Sequence, residues 1–321
     1  MIKIGFKLAS EIYPPLDLVK YAKQAEEAGF DFAMISDHYH PWTNREGNSP
    51  FVWATLGGIS QVTGRIPVAT GVTCPTFRIH PAIIAQAAAT ASSMLPGRFI
   101  LGVGSGENLS EHIFGDEWPS TPTRIDMLGE AVDIIRTLWN GDNEMQDYDG
   151  CYYNVENARI YTRPPEMPPI FIAAEGEMAC ELAGKEGDGL IAQTGSEKII
   201  KNFKDAGGEG KPCWGEATVC WAETDDKAKS QAYEIWPIKA NTVQLNGDLP
   251  TPTHFEQLGE IVNEDIVAEK MVCSNDPQKF IDEVKSYANA GFDHVCINNV
   301  GEDQYGFIEF CRREILPEFR E

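Results

Sequence analysis

The chain of 321 residues is 42% hydrophobic and carries 26 basic against 49 acidic side chains, a formal charge of −23. That length and apolar content allow a large α/β unit with a sizeable core and exclude a disordered chain. The acidic balance excludes a nucleic-acid or anionic-membrane surface, because either partner needs a basic face.

Residues 2–8 read as a first strand. Over 16–28, Leu18, Ala22, Ala25 and Ala28 fall on one helical face, and Gly29 stands where a helix-ending glycine belongs. The apolar run 32–35 reads as a buried second strand. It leads into Ser36-Asp37-His38-Tyr39-His40-Pro41-Trp42, a concentration of reactive and stacking groups that no core needs. His38 is either a satisfied structural histidine or a group for acid–base work near neutrality, and the company of Asp37 and Trp42 favours the second. A metal pair of His38 and His40 lacks a third ligand, so no metal is expected.

A helix over 50–60 and a strand over 66–72 follow, the strand ending in Thr73-Cys74-Pro75-Thr76-Phe77-Arg78. The alanine-rich 81–94 is a helix opened by proline, and 98–102 is a fourth strand. The run Gly102-Val103-Gly104-Ser105-Gly106-Glu107-Asn108 departs from the dinucleotide spacing, and no helix opens directly from it. Its glycines suit backbone approach to a flat ligand. Glu107 is either a surface acid or a carboxyl desolvated by an aromatic cofactor, with a raised pKa and a proton to give.

The most periodic helix spans 121–139, and Asp149-Gly150 marks a hairpin. Strands at 169–174 and 189–192 end in Ala173-Ala174-Glu175-Gly176 and Gln193-Thr194-Gly195-Ser196, small residues that suit either ligand-binding backbone or tight βα turns. A seventh strand at 216–222, helices at 225–236 and 276–290, a last strand at 293–297 and a closing helix at 307–316 complete the alternation. The stretch 237–267 has no clear period and reads as an insertion. This pattern predicts a (β/α)8 TIM barrel with insertions, one domain over 1–321, whose strand-end loops converge on one mouth.

The eight cysteines are scattered without a Cys-x-x-Cys pair, which predicts reduced thiols. No basic, apolar leader and no membrane-length apolar run is present in the sequence, so the expected setting is the cytoplasm, with no membrane partner.

Six motifs taken together carry a resemblance over nearly the whole chain: Ser36-Asp37-His38-x-x-Pro41-Trp42, Cys74-Pro75-Thr76-Phe77-Arg78, His80 to Gln86, Gly102-Val-Gly-x-Gly-Glu107, Glu117-Trp-Pro119 and Ala183-Gly-x-x-Gly-Asp-Gly189. In them the chain resembles the luciferase-like barrel superfamily and, within it, the coenzyme F420-dependent dehydrogenases of sugar phosphates and secondary alcohols. The resemblance implies a homodimer with F420 at the barrel mouth, and hydride transfer between a CH–OH carbon of a small-molecule substrate and the deazaflavin C5. It assigns catalysis to His38, Trp42 and Glu107, and cofactor contacts to Asp37, Val72, Cys74, Gly106, Ala174 and Gly195. It also places a non-prolyl cis peptide at Gly71-Val72. His38 would take the hydroxyl proton or stabilise the developing alkoxide, Glu107 would protonate the reduced ring, and Trp42 would keep the pocket dry.

Substrate contacts fall on Gln193, Ser196 and Lys270. The sugar-phosphate relatives grip phosphate with two lysines and an arginine. Ser196 stands for the first lysine, Lys270 for the arginine, and the region near Asn246 offers no counterpart to the second. A dianionic phosphate is held less well by such a set. A neutral alcohol or another sugar derivative fits equally. A reductase using reduced F420, an FMN-dependent monooxygenase and a non-catalytic flavin-binding barrel are the alternatives.

Overall fold

The computed structural model describes residues 2–320. In chain order the strands are β1 (Lys3–Leu8), β2 (Phe32–Ile35), β3 (Val68–Thr70), β4 (Phe99–Val103), β5 (Gln146–Asp149), β6 (Asn154–Ala158), β7 (Ile170–Ala173), β8 (Gly189–Ala192), β9 (Cys213–Trp221), β10 (Val272–Ser274) and β11 (His294–Asn299). Eight of them, β1-β2-β3-β4-β7-β8-β9-β11, form a parallel sheet that closes where Lys3 of β1 meets His294 of β11. The expected (β/α)8 barrel is present. β5 and β6 form the antiparallel hairpin expected at Asp149-Gly150, and β10 adds to the far end of β9, Cys273 beside Cys220.

The helical periods explain the outer layer. In Pro15–Ala28 the buried positions are Leu18, Ala22, Ala25 and Ala28, and Gly29 ends the helix with φ 92°. In Thr121–Asn140 the face bearing Ile125, Leu128, Val132, Ile135 and Trp139 is buried. Barrel strands are covered on both sides, which is why β2 is buried at every position.

Inside the ring, Phe32, Met34, Phe171, Ile191 and Trp214 form an apolar plug, with the Phe32 and Trp214 ring centroids 4.1 Å apart. One rung nearer the mouth the interior turns polar. Lys7 Nζ lies 2.7 Å from Glu216 Oε2 and donates to the Gly71 carbonyl at 2.9 Å, while Asn298 Nδ2 donates to Glu216 Oε1 at 3.0 Å. Burial opposes the charge on Lys7, but Glu216, with further support from Glu11, outweighs it and raises the ammonium pKa.

Two local readings differ from the sequence. A short helix, Asn108–Glu111, does open directly after Glu107. The aperiodic 237–267 holds a turn, Pro237–Ala240, and helices Val243–Asp248, Pro252–Gly259 and Glu264–Ala268. Helices this short complete too few turns for a 3.6-residue period to emerge. The segment lies over the barrel mouth: Phe255 and Ile238 pack with Trp42 and Leu109, and Asn108 Nδ2 donates to the Asp248 carbonyl at 2.9 Å. Among the described residues no helix is long and apolar enough to cross a membrane, and no cluster of three or more metal-ligating side chains occurs.

Candidate active site

Three strand exits meet at the mouth. β1 leads into Ser10-Glu11, β2 into Asp37-His38, and β4 into Gly106-Glu107. His38 stands between two carboxylates, Nδ1 2.8 Å from Glu11 Oε1 and Nε2 3.3 Å from Glu107 Oε2. The first contact is an ion pair, off the line of an aligned hydrogen bond. Glu11 is fixed from behind, its Oε2 accepting from Ser36 Oγ at 2.9 Å. The Trp42 ring meets His38 edge-on, centroids 5.3 Å apart, and is itself backed by Phe255 at 5.2 Å.

The electrostatics follow from this order. Burial works against a charged His38, but Glu11 and then Glu107 outweigh it and raise the ring pKa to about 9. Burial likewise opposes ionisation of Glu11, yet His38 and Lys7 hold its carboxyl at about 2. Glu107 moves the other way: burial raises it, and the attraction of His38 offsets that only in part. Its side chain keeps 29% exposure, so it is the member of the set open to the mouth. At neutral pH the arrangement is a fixed carboxylate, an imidazolium and an upward-shifted acid within hydrogen-bond reach. Such a trio can stabilise a developing oxyanion and exchange a proton beside it.

The other residues singled out from sequence sort into three groups. Asp37 is buried, its Oδ1 3.0 Å from Arg78 Nη2 and its Oδ2 accepting from Thr73 Oγ1 at 2.7 Å. Arg78 in turn reaches Glu111 at 3.5 Å, a network that braces the exits of β2, β3 and β4. Val72, Cys74 and Gly106 lie together at the β3 and β4 exits, with the Gly71-Val72 peptide cis. Gly106 has φ 82°, and a Cβ there would fall 2.6 Å from Cys74 Sγ. At Gly104 a Cβ would lie 2.7 Å from Val72 Cγ2. These glycines therefore admit side chains from the neighbouring exit, a packing reason that the ligand reading had not included. Ala174 is buried at the end of β7, and Gly195 lies against the Tyr287 ring after β8. Gln193 and Lys270 are exposed and Ser196 is half-buried. Among the described residues none of these last three forms a hydrogen bond or ion pair with His38 or Glu107.

Sequence reasoning missed Glu11, Lys7 and Glu216. Glu11 carried a usable signal, since it lies three residues beyond a predicted strand, the same placement that drew attention to Asp37 and His38. Lys7 and Glu216 sit within apolar strands 209 residues apart, and no local pattern pairs them.

The family profile described as Luciferase-like monooxygenase matches residues 3–294. The F420-dependent glucose-6-phosphate dehydrogenase of Amycolatopsis mediterranei (strain U-32) is 34% identical over 332 residues, covering 100% of this chain and 99% of that protein. The enzyme of the same name from Microbacterium testaceum (strain StLB037) is 35% identical over 331 residues, covering 99% and 98%. Among solved structures, an F420-dependent secondary alcohol dehydrogenase in complex with an F420-acetone adduct superposes with a TM-score of 0.92. It is 30% identical and covers 100% of this chain and 99% of its own.

Proposed function

As a member of the luciferase-like monooxygenase family, the chain is, we propose, a coenzyme F420-dependent oxidoreductase that acts on the CH–OH carbon of an alcohol or sugar. The observation that carries the reading is His38 held between Glu11 and Glu107 at the barrel mouth. The names of the relatives supply the cofactor and the substrate class.

The mouth suits a flat ring. The exits of β3, β4, β7 and β8 lie side by side in the barrel, and those of β7 and β8 carry the small residues Ala174, Gly176 and Gly195, with nothing within 4 Å of a Cβ at Gly176. We assign F420 to this arc, held by Asp37, Val72, Cys74, Gly106, Ala174 and Gly195. When bound, F420 supplies the hydride acceptor.

In the oxidative direction the substrate carbon gives up a hydride with its electron pair, its hydroxyl loses a proton, and a carbonyl results. Charge builds on the substrate oxygen as this happens. A ring already protonated at neutral pH is suited to donate a hydrogen bond to that oxygen from Nε2, which favours the stabilising role for His38 over that of a base. Glu107, the group of the trio shifted upward and open to the mouth, takes up the hydroxyl proton in its carboxylate form and returns it in the reverse direction. Trp42, buttressed by Phe255, excludes water. Gln193, Ser196 and Lys270 are assigned to the substrate side. Ser196 brings no charge to that side, and the nearby Lys239 is engaged by Thr218 and faces Glu216 and Glu175, a set that suits a neutral alcohol or an uncharged sugar better than a dianionic phosphate.

Pure protein mixed with oxidised F420 and a panel of alcohols and sugar phosphates tests the assignment. Loss of the cofactor's visible absorbance with a donor is the expected result. Tight binding of FMN without binding of F420 overturns it.

We further infer a homodimer in the cytoplasm, one domain over 1–321 with 237–267 inserted as a cover. The eight unpaired cysteines fit a reducing compartment. Helices Val52–Val62 and Pro81–Met94 leave an apolar groove between them, lined by Trp53, Ile83 and Met94 beside the small Gly57, Ala87 and Ala91. Ile83 is 55% and Met94 40% exposed there, a contiguous apolar patch that a second copy would cover. Ile83→Asp is expected to move the protein from dimer to monomer in sedimentation velocity, and an unchanged sedimentation coefficient removes this face from the interface.

A further inference from the structure

The cover lowers one cation into the mouth, and the proton chemistry above leaves it unused. Lys239 belongs to the turn Pro237–Ala240 and is half-buried. Its Nζ donates to Thr218 Oγ1 at 3.3 Å. Thr218 is 6% exposed and stands two residues beyond Glu216 on β9, so strand alternation aims both side chains into the barrel. Two routes connect this ammonium to the trio. Through the interior, it feels the Glu216 charge, Glu216 holds Lys7, and Lys7 acts in turn on Glu11, His38 and Glu107. Along the cover, the preceding Ile238 packs with Trp42, whose ring meets His38.

The hydrogen-bonding capacity left at this edge has a definite character. A lysine carries three N–H donors, and the bond to Thr218 uses one. Among the described residues no carboxylate closes an ion pair on Lys239; Glu216, Glu175 and Glu283 act on it at longer range. Burial holds its ammonium below the ordinary lysine value, and those three carboxylates offset the effect only in part. Thr218 Oγ1 accepts from Lys239 and keeps its own O–H to give. A carboxylate offers about four acceptor positions. Glu175, at the β7 exit, spends two of them through Oε1 on the Gln193 and Thr194 backbone N–H groups, so acceptor capacity remains. Donors and an acceptor therefore border the same side of the mouth. A hydroxyl both gives and takes a hydrogen bond and satisfies such a set. An anion only accepts, and three carboxylates face the one ammonium that would receive it.

We propose that Lys239 and Thr218 form a subsite for a second hydroxyl of the substrate, so that the alcohol oxidised at this mouth is a neutral polyol or sugar and not a simple secondary alcohol or a sugar phosphate. The carbon that gives up its hydride lies at the trio. A hydroxyl further along the same molecule receives an N–H from Lys239 and donates toward Glu175. A site built around a hydroxyl penalises the analogue that lacks one, because its buried polar groups are then left unpaired. The consequence for turnover rests on the oxidoreductase reading; the binding contact does not.

Steady-state F420 reduction compares glycerol, sorbitol and glucose with 2-propanol and glucose 6-phosphate, in the wild type, in Lys239→Met and in Thr218→Val. The wild type should reach its highest kcat/KM with a neutral polyhydroxylated donor. In Lys239→Met the ratio of that kcat/KM to the 2-propanol value should fall by about 10–100-fold, the worth of a hydrogen bond from a charged donor, and chiefly through KM. Thr218→Val should lower the same ratio by less, and it keeps the test decisive should Lys239→Met not fold. A wild-type preference for 2-propanol or for the phosphate ester, or a ratio unmoved in the variants, overturns the proposal and leaves the oxidoreductase reading standing. If no donor reduces F420, that reading fails instead, and the contact is judged on cofactor-free protein by saturation-transfer NMR. Saturation should pass from the wild type to sorbitol or glucose and fall in Lys239→Met. No transfer from the wild type, or equal transfer from both, overturns the subsite.

Discussion

His38→Ala is expected to lower turnover by about 10²–10⁴-fold, the range associated with a positioned acid–base or charge-stabilising group. The affinity for F420 should change little. The proposed cofactor arc runs along the exits of β3, β4, β7 and β8, while His38 faces Glu11 and Glu107. Steady-state F420 reduction gives the first quantity and a cofactor-binding titration the second. Unchanged turnover removes His38 from the mechanism, and a parallel loss of binding reassigns it to the cofactor.

The same variant has a pH signature. His38 titrates at about 9 in the fold, above its ordinary value of 6.5. The stability it contributes is complete below pH 6.5 and is lost as pH rises through 9. Wild type should lose stability over that window more steeply than His38→Ala.

Glu216→Ala carries the largest expected cost in stability, about 3–5 kcal/mol, because it strands the Lys7 ammonium inside the barrel. Lys7 is buried, and its other recorded partner is the Gly71 carbonyl. Removing the carboxylate leaves burial opposed chiefly by the more distant Glu11 charge, so the Lys7 pKa should fall. Urea unfolding measures the cost. The double replacement Lys7→Met/Glu216→Leu should recover most of it, since an apolar pair of similar volume leaves no charge to desolvate. A single-variant cost below about 1 kcal/mol, the range of exposed pairs, would mean that water reaches the pair.

The barrel was legible because its signals are local. Covered strands read as short apolar runs, and Thr121–Asn140 is long enough to display its buried face. The reactive part of the site was legible for a related reason: His38, Trp42 and Glu107 each follow a recognisable strand. The supporting charges were not. Glu11 and Glu216 matter through partners distant in sequence, Ser36 and His38 for the first and Lys7 for the second, and a single chain records no pairing between them. The glycines at 104 and 106 show the converse limit. Their presence was plain, but side chains from the β3 exit occupy the space they leave.

The cover over the mouth has a further consequence through the way it is hung. Its chain departs from β9, crosses above Trp42, and returns as β10 onto the last rungs of the same strand, with Ser274 beside Trp221. Glu11, His38 and Glu107 are suspended from other strands, β1, β2 and β4. The cover and the trio thus hang from different strands and meet where Phe255 backs Trp42 and the Asp248 carbonyl holds Asn108. A transplant of 237–267 between related barrels that keeps those two contacts should change which substrates enter while leaving the ionisation of His38 where it is.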